Sequence, residues 1–171
     1  MTRFIALLRA VNVGGTGKLP MAELKALCEE AGFRRVETYI ASGNVVFDAS
    51  ASEPEVKETL EARLLARFGA PIGVLVRTAS EMKAVLEANP FPTKAPNHTV
   101  AIFLDGAPPA DALDHATGLG EEEMRLGRRE IYVYYGAGMA RSKLKIPAAA
   151  TGTARNLNTI AKLVQLASDA A

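Results

Sequence analysis

Between Asn12 and Lys18 the chain reads Asn-Val-Gly-Gly-Thr-Gly-Lys, a glycine-rich stretch that ends in a cation. Successive backbone N–H groups in such a stretch can cradle an anion, and the lysine can neutralise it. The nucleotide-hydrolase phosphate loop is excluded. It needs glycine six positions before the lysine, where Asn12 stands, and Ser or Thr directly after it, where Leu19 stands. The dinucleotide pattern G-x-G-x-x-G is absent too. What remains is a generic anion site involving Asn12, Gly14, Gly15 and Lys18, with a flexible connector as the competing reading.

A second polar cluster lies at Thr151-Gly152-Thr153-Ala154-Arg155-Asn156, ahead of an apolar helical pattern. Thr153 or Thr151 serves there as a helix cap. Arg155 in a first helical turn opposes the helix dipole unless an anion sits beside it. Asn156 and Asn158 are poor helix formers at positions where Ala or Glu would serve. The basic segment Arg141-Ser142-Lys143-Leu144-Lys145 is a candidate wall of the same pocket and otherwise a solvated loop.

Other chemistries find little support. His98 and His115 are far apart, and neither H-x-x-x-H nor C-x-x-C occurs, so no metal site is expected. Cys28 lies on the apolar stripe of a helix and reads as a buried thiol. Ser42-Gly43 lacks the surrounding elbow of a serine hydrolase. The residues offer stabilisers of negative charge but no general base or activated nucleophile, so no reaction and no cofactor are assigned.

These residues must be positioned by regular elements. Arg3–Val11 is a short, nearly continuous apolar run, read as a strand covered on both faces. Pro20 opens a helix carrying Leu24, Leu27, Cys28 and Ala31, which Gly32 stops. Arg35–Ile40 and Asn44–Phe47 are strands around the turn Ala41-Ser42-Gly43. Ser52 and Glu55 form a capping box for a helix reaching Phe68, and Ile72–Arg77 is a further strand. The order β-α-β-β-α-β is the split βαβ of a ferredoxin-like sandwich. In that sheet the exit of the first strand meets the start of the third, which would make Asn12 a neighbour of Ser42, Gly43 and Asn44.

The second half repeats the pattern as a variant. Ser80 caps a helix through Ala88, Thr99–Leu104 is a strand, and Asp111–Ala116 is a short helix. Glu123–Leu126 pairs with Glu130–Tyr135 around Gly127-Arg128. A last helix spans 154–167, with Leu157, Ile160, Ala161 and Val164 as its buried stripe. The expected class is α+β: tandem ferredoxin-like halves with mixed or antiparallel sheets, at 1–78 and 79–171.

Composition sets the outer bounds. At 171 residues with 49% apolar and 23% charged side chains, the chain can bury a core without staples. Its net charge of +1 gives no global pull towards nucleic acid or membrane. A single cysteine, and no apolar run near the ~20 residues of a membrane helix, point to a soluble cytoplasmic protein. Charge is uneven, however. Asp105–Glu123 holds six acids and no base, whereas Arg125–Arg155 holds seven bases against Glu130 alone. The central strands offer only Phe4 and Phe47 as aromatics, too few for an open RNA-stacking face. Tyr132 and Tyr134 share a face in the second half, where core packing competes with a stacking platform.

Three segments together resemble the bacterial family called domain of unknown function 1697. They are Ala6–Gly15, Thr38–Phe47 and Gly152–Thr159. The chain departs from the family's pattern at Ala10-Val11, where Gly-Ile is usual, and at Leu157, where Trp is usual. The resemblance implies an α/β fold of ferredoxin-like halves and no activity. The family's recurring polar positions match Arg9, Asn12, Lys18, Ser42, Asn44, Arg155, Asn156 and Asn158. The expectation is a site binding a phosphate- or carboxylate-bearing small molecule where these segments converge. The alternatives are a nucleic-acid module on the basic C-terminal third and a protein-interaction domain whose polar segments merely set turns and caps.

Overall fold

The computed structural model describes residues 1–12 and 18–168. The chain divides into two compact units, Met1–Lys83 with Lys162–Ala171, and Ala84–Ala161.

In the first unit the order is β1 (Thr2–Leu8), α1 (Met21–Glu30), β2 (Arg34–Tyr39), β3 (Asn44–Ala49), α2 (Glu53–Phe68) and β4 (Val74–Thr78). The strands lie β2-β3-β1-β4, and every pairing is antiparallel. Alternation along the pleat sends Phe4, Ala6, Leu8, Val45, Phe47, Val74 and Val76 into one core with Leu24 and Leu27 of α1 and Val56, Leu60 and Leu64 of α2. Phe33 stacks on Phe47 with ring centres 4.4 Å apart. The opposite set, Ile5, Leu7, Val46 and Leu75, is buried as well. That accounts for the unbroken apolar runs of β1 and β3.

Helix ends follow local chemistry. Ser52 accepts a hydrogen bond from the Glu55 N–H at 3.3 Å, and α2 stops where Gly69 takes a left-handed φ of 71° and donates to the Leu65 carbonyl. Pro20 precedes α1 and supplies no side-chain cap. β1 ends at Leu8, three residues short of the expected Val11, because Ala10 and Asn12 adopt left-handed φ values of 51° and 55°. Asp48 of β3 receives Arg35 at 2.6 Å and Arg3 at 3.4 Å, and Arg3 also donates to the Leu166 carbonyl.

The second unit's strands are β5 (Thr99–Phe103), β6 (Glu123–Leu126), β7 (Glu130–Tyr134) and β8 (Thr153–Asn156), in the order β6-β7-β5-β8. Taken in chain order within each sheet, the two arrangements are the same. The expected hairpin is present between β6 and β7. The core gathers Val100, Ile102, Ile131, Val133 and Ile146. The expected short helix at Asp111–Ala116 is a 3-10 turn over Ala112–His115. The unit boundary falls inside α3 (Ala79–Glu87) and inside α4 (Leu157–Ser168).

Two sequence expectations are overturned here. Thr78, not Ser80, caps α3: its hydroxyl accepts from the Glu81 N–H at 3.2 Å while the Glu81 carboxylate accepts from the Thr78 N–H at 2.8 Å. The last helix begins at Leu157, not 154, because Thr153–Asn156 pairs along β5 as a strand. Its buried stripe is rotated accordingly to Leu157, Ile160, Leu163 and Ala167, leaving Ala161 exposed and Val164 half-buried.

Candidate functional site

At one end of the first sheet β1 leaves, while β3 and β4 begin. The Leu8 N–H donates to the Gly43 carbonyl and the Arg9 N–H to the Gly73 carbonyl, both at 2.9 Å. Gly43 is required there. Its φ is 89°, and a Cβ on it would fall 2.7 Å from Val11 Cγ2 and 2.9 Å from Leu8 Cβ. The expected meeting of strand exit and strand start is thus made by direct contact.

Asn12 stitches this end together. Its Nδ2 donates to the Leu19 carbonyl at 2.9 Å and the Ala41 carbonyl at 2.8 Å, and its Oδ1 accepts from the Leu19 N–H at 2.7 Å. Both amide protons and the carbonyl oxygen are engaged within the protein, so Asn12 is a pin rather than a reader of ligand. Asn44 is fully buried and donates to the Tyr39 carbonyl and to Ser42 Oγ, which makes Ser42 and Asn44 braces of their turn. Gly14 and Gly15 lie outside the described residues.

Beside this stitched edge lies a cavity of about 430 Å³. Arg9 and Lys18 bring positive charge to it, and Val11, Leu19, Phe68, Pro71 and Ile72 supply an apolar wall. The stem of Arg9 rests over Gly73, where an added Cβ would meet Arg9 Cδ at 3.0 Å. A more open hollow of about 470 Å³ lies between α2 and the start of β4, and shares Pro71, Ile72 and Gly73 with the first. The Phe68–Gly73 side of this site was missed in the sequence. The signal lay in Gly69-Ala70-Pro71-Ile72-Gly73, which reads as a helix stop followed by a Pro/Gly-bounded connector.

The structure therefore brings together Arg9, Asn12, Lys18, Ser42, Gly43 and Asn44 in the first unit. Thr153, Arg155, Asn156 and Asn158 belong to the second. Arg155 is not in a helical first turn. It sits on β8 opposite Ala101, 7% exposed, and donates to Thr153 Oγ1 at 2.7 Å and to the Ala154 carbonyl at 2.9 Å. Burial pulls its guanidinium down to about 10. The capping role expected of Thr153 falls to Asn156, whose Oδ1 accepts from the Thr159 N–H at 2.8 Å, while Asn158 is exposed. Of the basic segment, Arg141, Ser142 and Lys143 border a separate hollow of about 220 Å³ within the second unit.

Cys28 is fully buried, and its thiol is pushed up to about 12 by that burial, with Glu29 adding to the effect, which leaves it unreactive. Tyr132 is buried with its hydroxyl on the Val85 carbonyl at 2.7 Å, a core contact rather than a base-stacking surface. Among the described residues no three His, Cys, Asp or Glu side chains gather as metal ligands, and no helix is long and apolar enough to cross a membrane.

Residues 1–132 match the model of a family described as Protein of unknown function (DUF1697). The chain belongs to the DUF1697 family. The matched stretch of this DUF1697 protein takes in the whole Arg9–Lys18 edge and stops before Thr153. Among solved structures it is similar to a conserved bacterial protein from Streptococcus pneumoniae, with 26% identity and a TM-score of 0.80. That likeness covers 98% of this chain and 99% of the other. No curated protein matches the DUF1697 chain.

Proposed function

We propose that this DUF1697 protein binds an anionic small molecule, phosphate- or carboxylate-bearing, in the cavity between the β1 exit and the α2–β4 connection. One observation carries the reading: Arg9 and Lys18 meet an apolar wall in a cavity of about 430 Å³. That size and mixture suit a small ligand with a charged group and an apolar body. Arg9 offers a planar fork for an oxyanion, and Lys18 adds a second positive charge. Asn12, Ser42, Gly43 and Asn44 enter the reading as the frame that holds this edge, not as ligand contacts.

The fold beneath the site is best understood as two ferredoxin-like halves in tandem. The support is the recurring strand order and a shared detail. Arg77 on β4 and Arg155 on β8 are both buried, and each donates through Nη1 to the carbonyl of the residue before it. In the second half the connecting helices shrink to 3-10 turns. A bacterial cytoplasmic setting belongs to the same reading, resting on the family resemblance and a lone cysteine held as a buried thiol.

Calorimetry and thermal shift against nucleotides, sugar phosphates and carboxylates test the site. A ligand at ~100 times its Kd stabilises the protein by roughly 2.7 kcal/mol. The expected result is a stabilising anion whose effect disappears in the Arg9→Ala/Lys18→Ala double variant. Stabilisation that survives the double variant, or no stabilising anion at all, would overturn the assignment.

A further inference from the structure

The proposed cavity and its neighbour are two hollows on one path. Pro71, Ile72 and Gly73 line both, the cations Arg9 and Lys18 stand at one end, and the exposed Leu65 of α2 stands at the other. We infer that the ligand is an amphipathic monocarboxylate, its head at Arg9 and Lys18 and its hydrocarbon tail crossing Pro71–Ile72 into the groove between α2 and β4. This rests on the anion-site reading above and narrows it to one class of molecule.

Three features select that class. The first is charge at the head. Phe68 is the last residue of the sixteen-residue helix α2 and lines the cavity, so the negative end of the helix dipole borders the anion site. That end of the helix disfavours a dianion more than a monoanion, which favours a carboxylate over a phosphate monoester.

Charge at the far end is the second feature. Glu58 and Glu61 line the outer hollow together with Lys57, which pairs with Glu61, so the wall carries one net negative charge and disfavours a second anionic group on the ligand. Pro54, Ala62, Leu65 and Ile72 give the tail an apolar bed instead.

The third is hydrogen bonding along the groove. β4 is an outer strand, and its unpaired side would ordinarily invite an extended peptide to add alongside. Here the outward groups of Val74 are already held: its N–H donates to Glu61 Oε2 at 3.0 Å, and Lys57 Nζ donates to its carbonyl at 2.6 Å. Lys57 and Glu61 also pair with each other at 2.9 Å. A peptide laid in the groove would bury its own N–H and C=O groups beside a strand whose partners are taken. A hydrocarbon tail has no such groups to satisfy.

The experiment is calorimetry of the full chain with saturated monocarboxylates of about six to about twelve carbons, held below micellar concentration. Matched alkyl phosphates and apolar peptides with free C-termini form the comparison arms. Each methylene entering the groove should tighten binding roughly two- to fourfold. Arg9→Ala should weaken every carboxylate by about thirtyfold or more. Leu65→Glu, which places a carboxylate where the tail would lie, should flatten the chain-length dependence. A flat length series in the wild type would overturn the proposal. So would tighter binding of the alkyl phosphates or the peptides, with the anion site itself left standing. If no anion of any kind binds in a way that Arg9→Ala removes, both readings fall together.

Discussion

Replacing Asn12 separates a structural pin from a ligand contact. Its side chain makes three hydrogen bonds of 2.7 to 2.9 Å, two of them to Leu19 and one to Ala41. At about 1 kcal/mol net for each, their loss costs about 3 kcal/mol. Alanine adds the cost of holding φ at 55°, about 1 kcal/mol, which glycine does not incur. Asn12→Ala should therefore destabilise the protein by about 4 kcal/mol and Asn12→Gly by about 3 kcal/mol. Asn12→Asp should be at least as harmful as glycine, because a carboxylate oxygen would then face the carbonyls of Leu19 and Ala41. At 2–4 °C for each kcal/mol, Asn12→Ala lowers Tm by roughly 10 °C. Urea and thermal denaturation give the magnitudes. Hydrogen exchange at the Leu19 amide, whose acceptor is Asn12 Oδ1, localises the effect. If Asn12→Ala unfolds within about 0.5 kcal/mol of wild type and the Leu19 amide exchanges at its original rate, the pin does not exist and the reasoning from these three bonds is wrong.

Further expectations bear on the same frame. Gly43→Ala, which forces a Cβ into Leu8 and Val11 at a left-handed φ, should cost about 3 kcal/mol or more in denaturant unfolding. Thr78→Ala removes the hydroxyl cap of α3 and should cost about 1 kcal/mol by the same measurement, whereas Ser80→Ala should be close to neutral. The hydrogen bond from Arg35, and beyond it the charge of Arg3, hold Asp48 below the usual carboxylate range. A lowered folded value means that Asp48 stabilises the fold above about pH 4 and that this contribution is lost as the pH falls through the folded value. Stability measured from neutral pH into acid should therefore decline less steeply in Asp48→Asn than in wild type, and parallel curves would refute the ion-pair account.

What could be read from the sequence was set by how local its causes are. The first unit's element order followed from period and punctuation: the apolar run of β1, Ser52 three residues before Glu55, and Gly69 after Phe68. The meeting of Asn12 with the Ser42 turn followed from topology, since an antiparallel neighbour must begin where its partner ends. The role of Asn12 did not follow. A polar side chain beside glycines looks the same whether it faces a ligand or three backbone groups, and only the position of Leu19 and Ala41 decides. Thr153–Asn156 was misread for a related reason. Ala154 and Arg155 are good helix formers that run directly into a strong helical pattern, while the force that makes them a strand is pairing with β5 some fifty residues away. Thr78 was overlooked because Ser80 sits two residues on and also precedes apolar positions. The cavity wall formed by Phe68 and Ile72 depends on a helix end folding back against β1, which no window of sequence contains.

The capture of Val74 by Lys57 and Glu61 also bears on how copies of this protein meet one another. The margins of the first sheet are closed by side chains. Val74 is held from α2, the Val76 carbonyl by Arg77, and the Thr78 N–H by Glu81. At the other margin β2 loses register between Arg34 and Glu37 and carries charge on both sides. Such devices deny incoming strands a template and so suppress cross-β growth between copies. On the β4 side the Val74 carbonyl is the group whose cover depends on an ammonium, that of Lys57. Acylation of Lys57 would discharge it and free the Val74 carbonyl, while the Val74 N–H, the Val76 carbonyl and the Thr78 N–H would keep their own partners.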